Sequence, residues 1–159
     1  MVKVLFVCLG NICRSPLAEG VFKHMVLEQN LEDEITADSA GTSGWHIGEH
    51  PDPRSIEVAR KNGIELDSYG RGANTDDFKE FDYIIAMDSS NHADLKSLPG
   101  SSMHGAARLF LMRDFDDIGK GLDVPDPYYG GDDGFTYVFE LLQRSCQNLL
   151  EEIKSEYKL

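Results

Sequence analysis

The chain has 159 residues, 41% of them hydrophobic and 27% charged, with a formal net charge of −13 at pH 7. This composition is that of one ordinary globular domain, residues 1–159, rather than of a disordered or a membrane protein. Because no basic cluster offsets the negative charge, nucleic acid and anionic membrane surfaces would be repelled, and we expect neither as a partner.

The cysteines and histidines indicate neither a disulfide scaffold nor a metal site. The three cysteines are an odd number, and no pair has the C-x-x-C spacing of a zinc ribbon. The five histidines lack the spacing of metal ligands, so we expect no metal and no cofactor. No apolar run is long enough to span a bilayer, and the N-terminal segment does not resemble a cleaved signal peptide. These features favour the reducing cytoplasm.

The first predicted element is a strand over residues 4–7, a run of apolar residues that favour strands. Gly10 lies beyond the end of that run. Ser15 and Pro16 then predict the N-cap and the first residue of a helix that continues to residue 29. The segment therefore predicts a strand, a tight loop and a helix.

Three more strands and three more helices are predicted in alternation along the rest of the chain. The strands cover residues 35–40, 81–87 and 107–111, and the helices begin near Pro53, at the capping segment 88–91, and at about residue 134. An acidic loop over residues 114–133 precedes the last helix, which continues to residue 157. Cys146 falls on the apolar face of that helix, where packing is its expected role.

Strands that alternate with helices indicate an α/β protein with a parallel sheet and helices on both faces. Four strands in the order 2-1-3-4 give the flavodoxin-like arrangement, in which ligands bind beyond the carboxyl end of the first strand. Residues 8–14 lie at that position.

Residues 8–14 have the composition of an anion-binding loop. Successive backbone N–H groups can turn toward one anion, and the N-terminus of the following helix adds partial positive charge. Arg14 can donate two parallel hydrogen bonds to phosphate oxygens, and the positive surroundings favour the thiolate of Cys8. A nucleophile beneath a bound phosphate suggests phosphoryl transfer. Taken singly, Cys8 could instead end a buried strand and Arg14 could pair with a carboxylate.

The motif VCLGNICRSPLAE resembles the active-site signature of the low-molecular-weight protein tyrosine phosphatases, and DPYYG resembles the general-acid loop of that family. DSAG, Trp45, PDPR and MDSSN also follow in the family's order and spacing. The resemblance spans nearly the whole chain. It implies the phosphotyrosine phosphatase I fold and the hydrolysis of phosphotyrosine in proteins, or of small aryl phosphates, with inorganic phosphate as product.

The resemblance also implies the chemical roles. Cys8 would attack phosphorus to give a cysteinyl-phosphate, Arg14 would bind the transferring oxygens, and Asp126 would be the general acid and base. The phosphate-binding loop would comprise Leu9, Gly10, Asn11, Ile12, Cys13, Arg14 and Ser15. From the residues alone, Asp126 is not distinguished from Asp123 or from a turn residue.

Supporting roles follow from the same resemblance. Asn11, Ser15 and Ser39 would hold the shape of the loop, and Cys8 and Cys13 would form a reversible disulfide. The substrate pocket would consist of Leu9, Ile12, Trp45, Tyr128 and Tyr129. Animal members of the family often carry a histidine where this chain has Ser68, so the group that braces the loop is left open.

Three alternative functions share parts of this pattern. Arsenate reductases of this scaffold need a further cysteine pair near the third strand, and residues 81–98 contain no cysteine. Protein-arginine phosphatases of similar fold tend to have threonine where this chain has Ile12. A non-catalytic phosphate-binding module would not need Asp126 as a proton donor.

Overall fold

The computed structural model describes residues 1–128 and 130–159. Within these ranges four parallel strands form one sheet in the order β2-β1-β3-β4. The strands are β1 (Val2–Cys8), β2 (Ile35–Gly41), β3 (Tyr83–Ala86) and β4 (Arg108–Leu111). The predicted α/β class and strand order are therefore confirmed.

The described helices connect and follow these strands. They are α1 (Arg14–Glu28), α2 (Pro53–Lys61), α3 (Asp77–Glu80), α4 (Ser89–Lys96) and α5 (Asp132–Tyr157), and a 3₁₀ helix covers Met112–Phe115. The sequence did not predict α3 or the 3₁₀ helix, because four residues are too few to show a helical period. None of the described helices is both long and apolar enough to cross a membrane.

Both faces of the sheet are buried. On one face, Val4 and Phe6 of β1 cluster with apolar residues of α1, α2 and α5. On the other face, Leu5 and Val7 cluster with apolar residues of α3 and α4. A central parallel strand buried on both faces reads as a continuous apolar run, which is why residues 4–7 were recognisable in the sequence.

The predicted start of α1 is wrong by two residues. Helix α1 begins at Arg14, and Cys13 occupies the N-cap without a side-chain capping bond. Ser15 is not the cap, because its hydroxyl bonds to Asn11 and Ala40 and lies beside Cys8. Pro16 is then the third helical residue, where the missing N–H still costs nothing. Arg14 is consequently fixed by the first turn of a helix.

The chain after β4 is fixed by a buried carboxylate. The side chain of Asp116 is fully buried and accepts hydrogen bonds from Arg113 on the 3₁₀ helix and from Arg144 on α5. The hydrogen bonds from Arg144, and then those from the Ile118 backbone and Arg113, hold the pKa of Asp116 well below its usual range. This network attaches the start of the predicted acidic loop to α5.

We expect Asp116→Asn to lower the free energy of unfolding by about 3 kcal/mol, because it leaves two arginines without their shared anion. Urea denaturation measures this loss. Asp94→Asn, at an exposed site on α4, is the matched control and should change stability little.

The stabilisation by Asp116 should also depend on pH in a defined direction. A carboxyl whose pKa is lower in the folded than in the unfolded state stabilises the fold fully above its unfolded pKa of about 3.9. The stabilisation is lost as the pH falls below that value. Unfolding curves of parent and Asp116→Asn should therefore converge in acid, and a constant difference between them would contradict this assignment.

Candidate active site

The loop of residues 8–14 connects the carboxyl end of β1 to the first turn of α1. Strands β2 and β3 flank β1 on its two sides, so the loop lies where the strand order reverses. Ligands of open α/β sheets bind at this position.

Neighbouring segments hold the loop by its carbonyl oxygens. The oxygens of Cys8, Leu9 and Ile12 accept hydrogen bonds from the backbone N–H groups of Thr42, Ser43 and Asp52, at 2.9, 2.9 and 2.7 Å. Since the N–H of a planar trans peptide points opposite to its C=O, the N–H groups of Leu9, Gly10 and Cys13 point away from these donors. Gly41 allows the close approach, because a Cβ there would lie 2.8 Å from the Leu9 oxygen.

The sulfur of Cys8 is nearly buried, with 2% of the residue exposed. The backbone N–H of Asn11 donates to Cys8 Sγ at 3.3 Å, and Ser15 Oγ lies 3.1 Å from the same sulfur. A donor from the loop and a hydroxyl from α1 thus converge on one sulfur at a helix N-terminus. Such surroundings stabilise negative charge on sulfur.

Asn11 gives the loop its shape. It has a left-handed backbone, with φ of 57°, which few residues other than glycine adopt. Its side-chain Nδ2 donates to Ser15 Oγ at 2.8 Å, and its Oδ1 accepts from the backbone N–H of Arg71 at 3.0 Å. Outside the loop, the group that braces Asn11 is therefore the backbone N–H of Arg71. A backbone contact of this kind leaves no signal in the sequence.

Arg71 is itself fixed by two carboxylates. Its guanidinium bonds to Asp38 of β2 and to Asp77 of α3, at distances of 3.1 to 3.2 Å. Ser39 of β2, predicted to support the loop, donates to Glu19 Oε1 of α1 at 2.6 Å. The contact between Ser39 and the loop therefore runs through the helix that the loop enters.

Arg14 is buried in the first turn of α1, and two acceptors from other segments hold its guanidinium. Its Nη1 donates to Asp88 Oδ2 at 2.7 Å and to the Val124 carbonyl at 2.9 Å. The other carboxyl oxygen of Asp88 accepts from the Asn91 N–H, so Asp88 is the residue of the predicted capping segment 88–91 that caps α4. Its second role, orienting Arg14, was missed because 74 residues separate the pair.

A pocket of about 140 Å³ opens above Cys8. It is lined by Cys8, Leu9, Gly10, Ile12, Cys13, Arg14, Trp45, His46, Asp126 and Tyr128. The structure thus brings together the predicted nucleophile, arginine, acid and apolar wall, while Tyr129 lies outside the described residues. His46 was not predicted. Its Nδ1 lies 2.8 Å from Glu49 Oε2. The one feature of the sequence that could have indicated His46 as a pocket residue is its position next to Trp45.

The two candidate acids of the DVPD segment have different surroundings. Asp126 lines the pocket, and its Oδ2 lies 3.6 Å from Arg14 Nη2, while its Oδ1 accepts from the Tyr128 N–H. The Asp123 carboxylate instead accepts from the Ser89 N–H at 2.8 Å. Of the two, Asp126 is the one whose proton can reach a ligand in the pocket.

All three cysteines are free thiols in this structure. Burial raises the pKa of the Cys13 thiol, and the charges of Asp52 and Cys8 raise it further. Burial likewise raises the pKa of Cys146, which is fully enclosed beside α1 as its predicted packing role requires. Within residues 1–128 and 130–159, no three His, Cys, Asp or Glu side chains are grouped so as to hold a metal ion.

Comparison with known proteins gives one consistent result. The sequence profile of the low molecular weight phosphotyrosine protein phosphatase family matches residues 3–159. The low molecular weight phosphotyrosine protein phosphatase of Schizosaccharomyces pombe is 47% identical, over 96% of this chain and 97% of its own. A protein tyrosine phosphatase from Entamoeba histolytica, with Hepes in its active site, superposes with a TM-score of 0.90 at 42% identity over the whole of both chains. A Drosophila arginine phosphatase superposes with a TM-score of 0.88 at 35% identity, over 96% of this chain and 98% of that one.

Asn11→Ala should damage both the loop and the anion site. The change leaves the Arg71 N–H without its acceptor and places alanine in a left-handed backbone, so we expect to lose about 2 to 3 kcal/mol of stability. Affinity for inorganic phosphate, measured by calorimetry, should fall about tenfold or more. Asn30→Ala is the matched control, since exposed Asn30 has the same φ of 57°. It should lose some stability but no phosphate affinity. Unchanged phosphate affinity in Asn11→Ala would contradict the role of Asn11.

Proposed function

The chain belongs to the low molecular weight phosphotyrosine protein phosphatase family, and we propose that it hydrolyses phosphotyrosine in proteins, and small aryl phosphates, through a cysteinyl-phosphate on Cys8. The observation that supports this mechanism best is the pocket shared by three side chains. Cys8 lies at its floor, and Arg14 and Asp126 line it. A thiol, a cation and a carboxyl at one phosphate-sized site are what a two-step phosphoryl transfer requires.

In the first step, Cys8 Sγ attacks phosphorus and a sulfur–phosphorus bond forms. The bond from phosphorus to the tyrosine oxygen breaks, and its electron pair goes to that oxygen, which takes a proton from Asp126. Since a phenolate has a pKa of about 10, protonation of the departing oxygen lowers the barrier at neutral pH.

In the second step, the Asp126 carboxylate accepts a proton from a water molecule as the water oxygen attacks phosphorus. The sulfur–phosphorus bond breaks and its electron pair returns to Cys8 Sγ, which releases inorganic phosphate. The Asn11 N–H stabilises the charge on sulfur before the first step and after the second. The Ser15 hydroxyl does so too when its proton turns from the Ala40 carbonyl to the sulfur.

Arg14 and the loop amides stabilise the phosphoryl group between these steps. The hydrogen bonds to Asp88 and to the Val124 carbonyl fix the plane of the guanidinium before any ligand binds. Preoriented donors stabilise a transition state without the cost of rearranging during the reaction. This local arrangement allows a protein of net charge −13 to bind an anion.

The pocket wall favours an aromatic substrate. Leu9, Ile12, Trp45 and Tyr128 provide apolar and aromatic surface around the phosphate site, which suits the ring of phosphotyrosine. The likeness to the Drosophila arginine phosphatase supports a second candidate, a protein-arginine phosphatase. Ile12 favours the first, because the arginine phosphatases tend to have threonine at this position.

Kinetics with purified, reduced protein test the mechanism. Cys8→Ser should abolish turnover of p-nitrophenyl phosphate and phosphotyrosine, because it removes the nucleophile. Asp126→Asn should lower kcat/KM for phosphotyrosine by roughly 10² to 10⁴. Asp117→Asn, an exposed acid of the same loop, should leave it unchanged.

Different results of these kinetic measurements would contradict the activity, the mechanism or the substrate. No turnover by the parent would contradict the phosphatase, and turnover that survives Cys8→Ser would contradict the mechanism. Faster hydrolysis of phosphoarginine than of phosphotyrosine would favour the arginine phosphatase.

We propose that Cys13 protects the nucleophile from oxidation. Hydrogen peroxide would convert the Cys8 thiolate to a sulfenic acid, and the Cys13 thiol would displace water from it to form a disulfide that an added thiol reduces. Activity of the parent should therefore recover from peroxide when dithiothreitol is added, and Cys13→Ser should recover much less. Cys146→Ser, which alters a cysteine remote from the loop, should recover like the parent. Equal recovery of Cys13→Ser would remove the protective role.

A further inference from the structure

We propose that Arg113 is a positioning residue for the catalytic acid: its guanidinium connects the buried Asp116 to the backbone at Asp123 and so holds the segment that carries Asp126 at the pocket. The inference rests on the proposed function in one respect, that Asp126 is the proton donor. It adds a residue 13 positions earlier in the chain, which lies outside the pocket and contacts no substrate.

One buried side chain makes both contacts. Arg113 is 7% exposed. Its Nε donates to Asp116 Oδ2 at 2.9 Å, and its Nη1 donates to the Asp123 carbonyl at 3.1 Å. The rigid fork of a guanidinium can bridge two acceptors in this way, whereas a lysine ammonium of similar reach is a single point of charge.

Asp116 is a firm anchor for this bridge. Its carboxylate is fully buried, and it is held from the other side by Arg144 of α5, at 2.7 and 3.0 Å. Among the described residues, the hydrogen bonds of Arg144 go to Asp116 alone. Arg113 therefore connects Asp116 to the segment that carries Asp126. The role of Arg144 is to hold Asp116 against α5.

Arg14 and the two neighbours of Asp88 in the chain also hold the segment that begins at Asp123. The Ser89 N–H binds the Asp123 carboxylate, the Val124 N–H donates to the Met87 carbonyl at 2.8 Å, and Arg14 binds the Val124 carbonyl. Pro125, whose φ is restricted by its ring, is the only residue between Val124 and Asp126. The Asp123 carbonyl and the Val124 N–H belong to one planar peptide unit, which Arg113 holds at one end and the Met87 carbonyl at the other. Without the hydrogen bond from Arg113 this unit can tilt about its bond to Met87, and the tilt moves the chain that leads to Asp126.

Gly119 provides an independent way to disturb the bridge. The chain at Gly119 passes directly over the guanidinium, and a Cβ there would lie 2.0 Å from Arg113 Nη2 and 2.7 Å from Cζ. Gly119→Ala must therefore change the distance between the chain at this point and the guanidinium, which the flexible end of Arg113 accommodates most easily, while every charge in the network is kept. It serves as the test variant if Arg113→Lys does not fold.

If the Asp126 carboxyl is displaced, kcat/KM should fall only for substrates whose leaving group needs a proton. The leaving group departs in the first step, so kcat/KM for a series of aryl phosphates reports the proton transfer. For Arg113→Lys and Gly119→Ala we expect roughly a ten- to hundredfold loss on phenyl phosphate. On 2,4-dinitrophenyl phosphate, whose phenolate needs no proton to leave, we expect a loss of less than about threefold. In an Asp126→Asn background, Arg113→Lys should add no further loss, because both changes act on one proton transfer.

Arg144→Lys is the matched control. It keeps a cation beside Asp116 and leaves both hydrogen bonds of Arg113 in place, so it should lower stability, yet leave the dependence of kcat/KM on the leaving group as in the parent. An equal loss of Arg113→Lys and Gly119→Ala on every leaving group, or a loss that persists beside Asp126→Asn, would overturn the positioning role alone. If Asp126→Asn itself shows no dependence on the leaving group, the assignment of the acid fails and the inference fails with it.

Discussion

Arg14 joins three segments that are distant in sequence. It extends from the first turn of α1 and donates to Asp88 at the cap of α4 and to Val124, two residues before Asp126. A guanidinium that is nearly buried would be costly without such partners. The same contacts aim it at the space above Cys8. Arg14 therefore connects the first turn of α1 to the cap of α4 and to the segment that carries Asp126, the proposed acid.

Much of this arrangement could be predicted from the sequence. The apolar run before Cys8 and the alternation of strands and helices led to the correct sheet, because a buried parallel strand has a strong local signature. The cap by Ser15 was wrong, since a hydroxyl that satisfies local rules for a helix start was recruited by Asn11 and the sulfur instead. Local rules do not show such competition.

What could not be predicted is the bracing around the loop. The Arg71 amide on Asn11 and the Asp123 carbonyl on Arg113 are backbone contacts between distant segments, and no side-chain pattern encodes them. Both follow one plan. An arginine is fixed by buried or partly buried carboxylates, Asp38 and Asp77 in one case and Asp116 in the other. That arginine, through its side chain or its backbone, then contacts a segment of the proposed active site. Asp38, Asp77 and Asp116 thus serve this strongly negative chain as structural partners of arginines.

The proposed mechanism requires that the phosphoryl group is transferred to the sulfur of Cys8 before water removes it. Rapid mixing with an aryl phosphate, a denaturing quench and mass spectrometry of the peptide that contains Cys8 test it directly. We predict a phosphoryl group on Cys8 during turnover, which disappears when substrate is exhausted and is absent from Cys8→Ser. Turnover without a phosphorylated enzyme, or a phosphoryl group on another residue, would contradict transfer through Cys8.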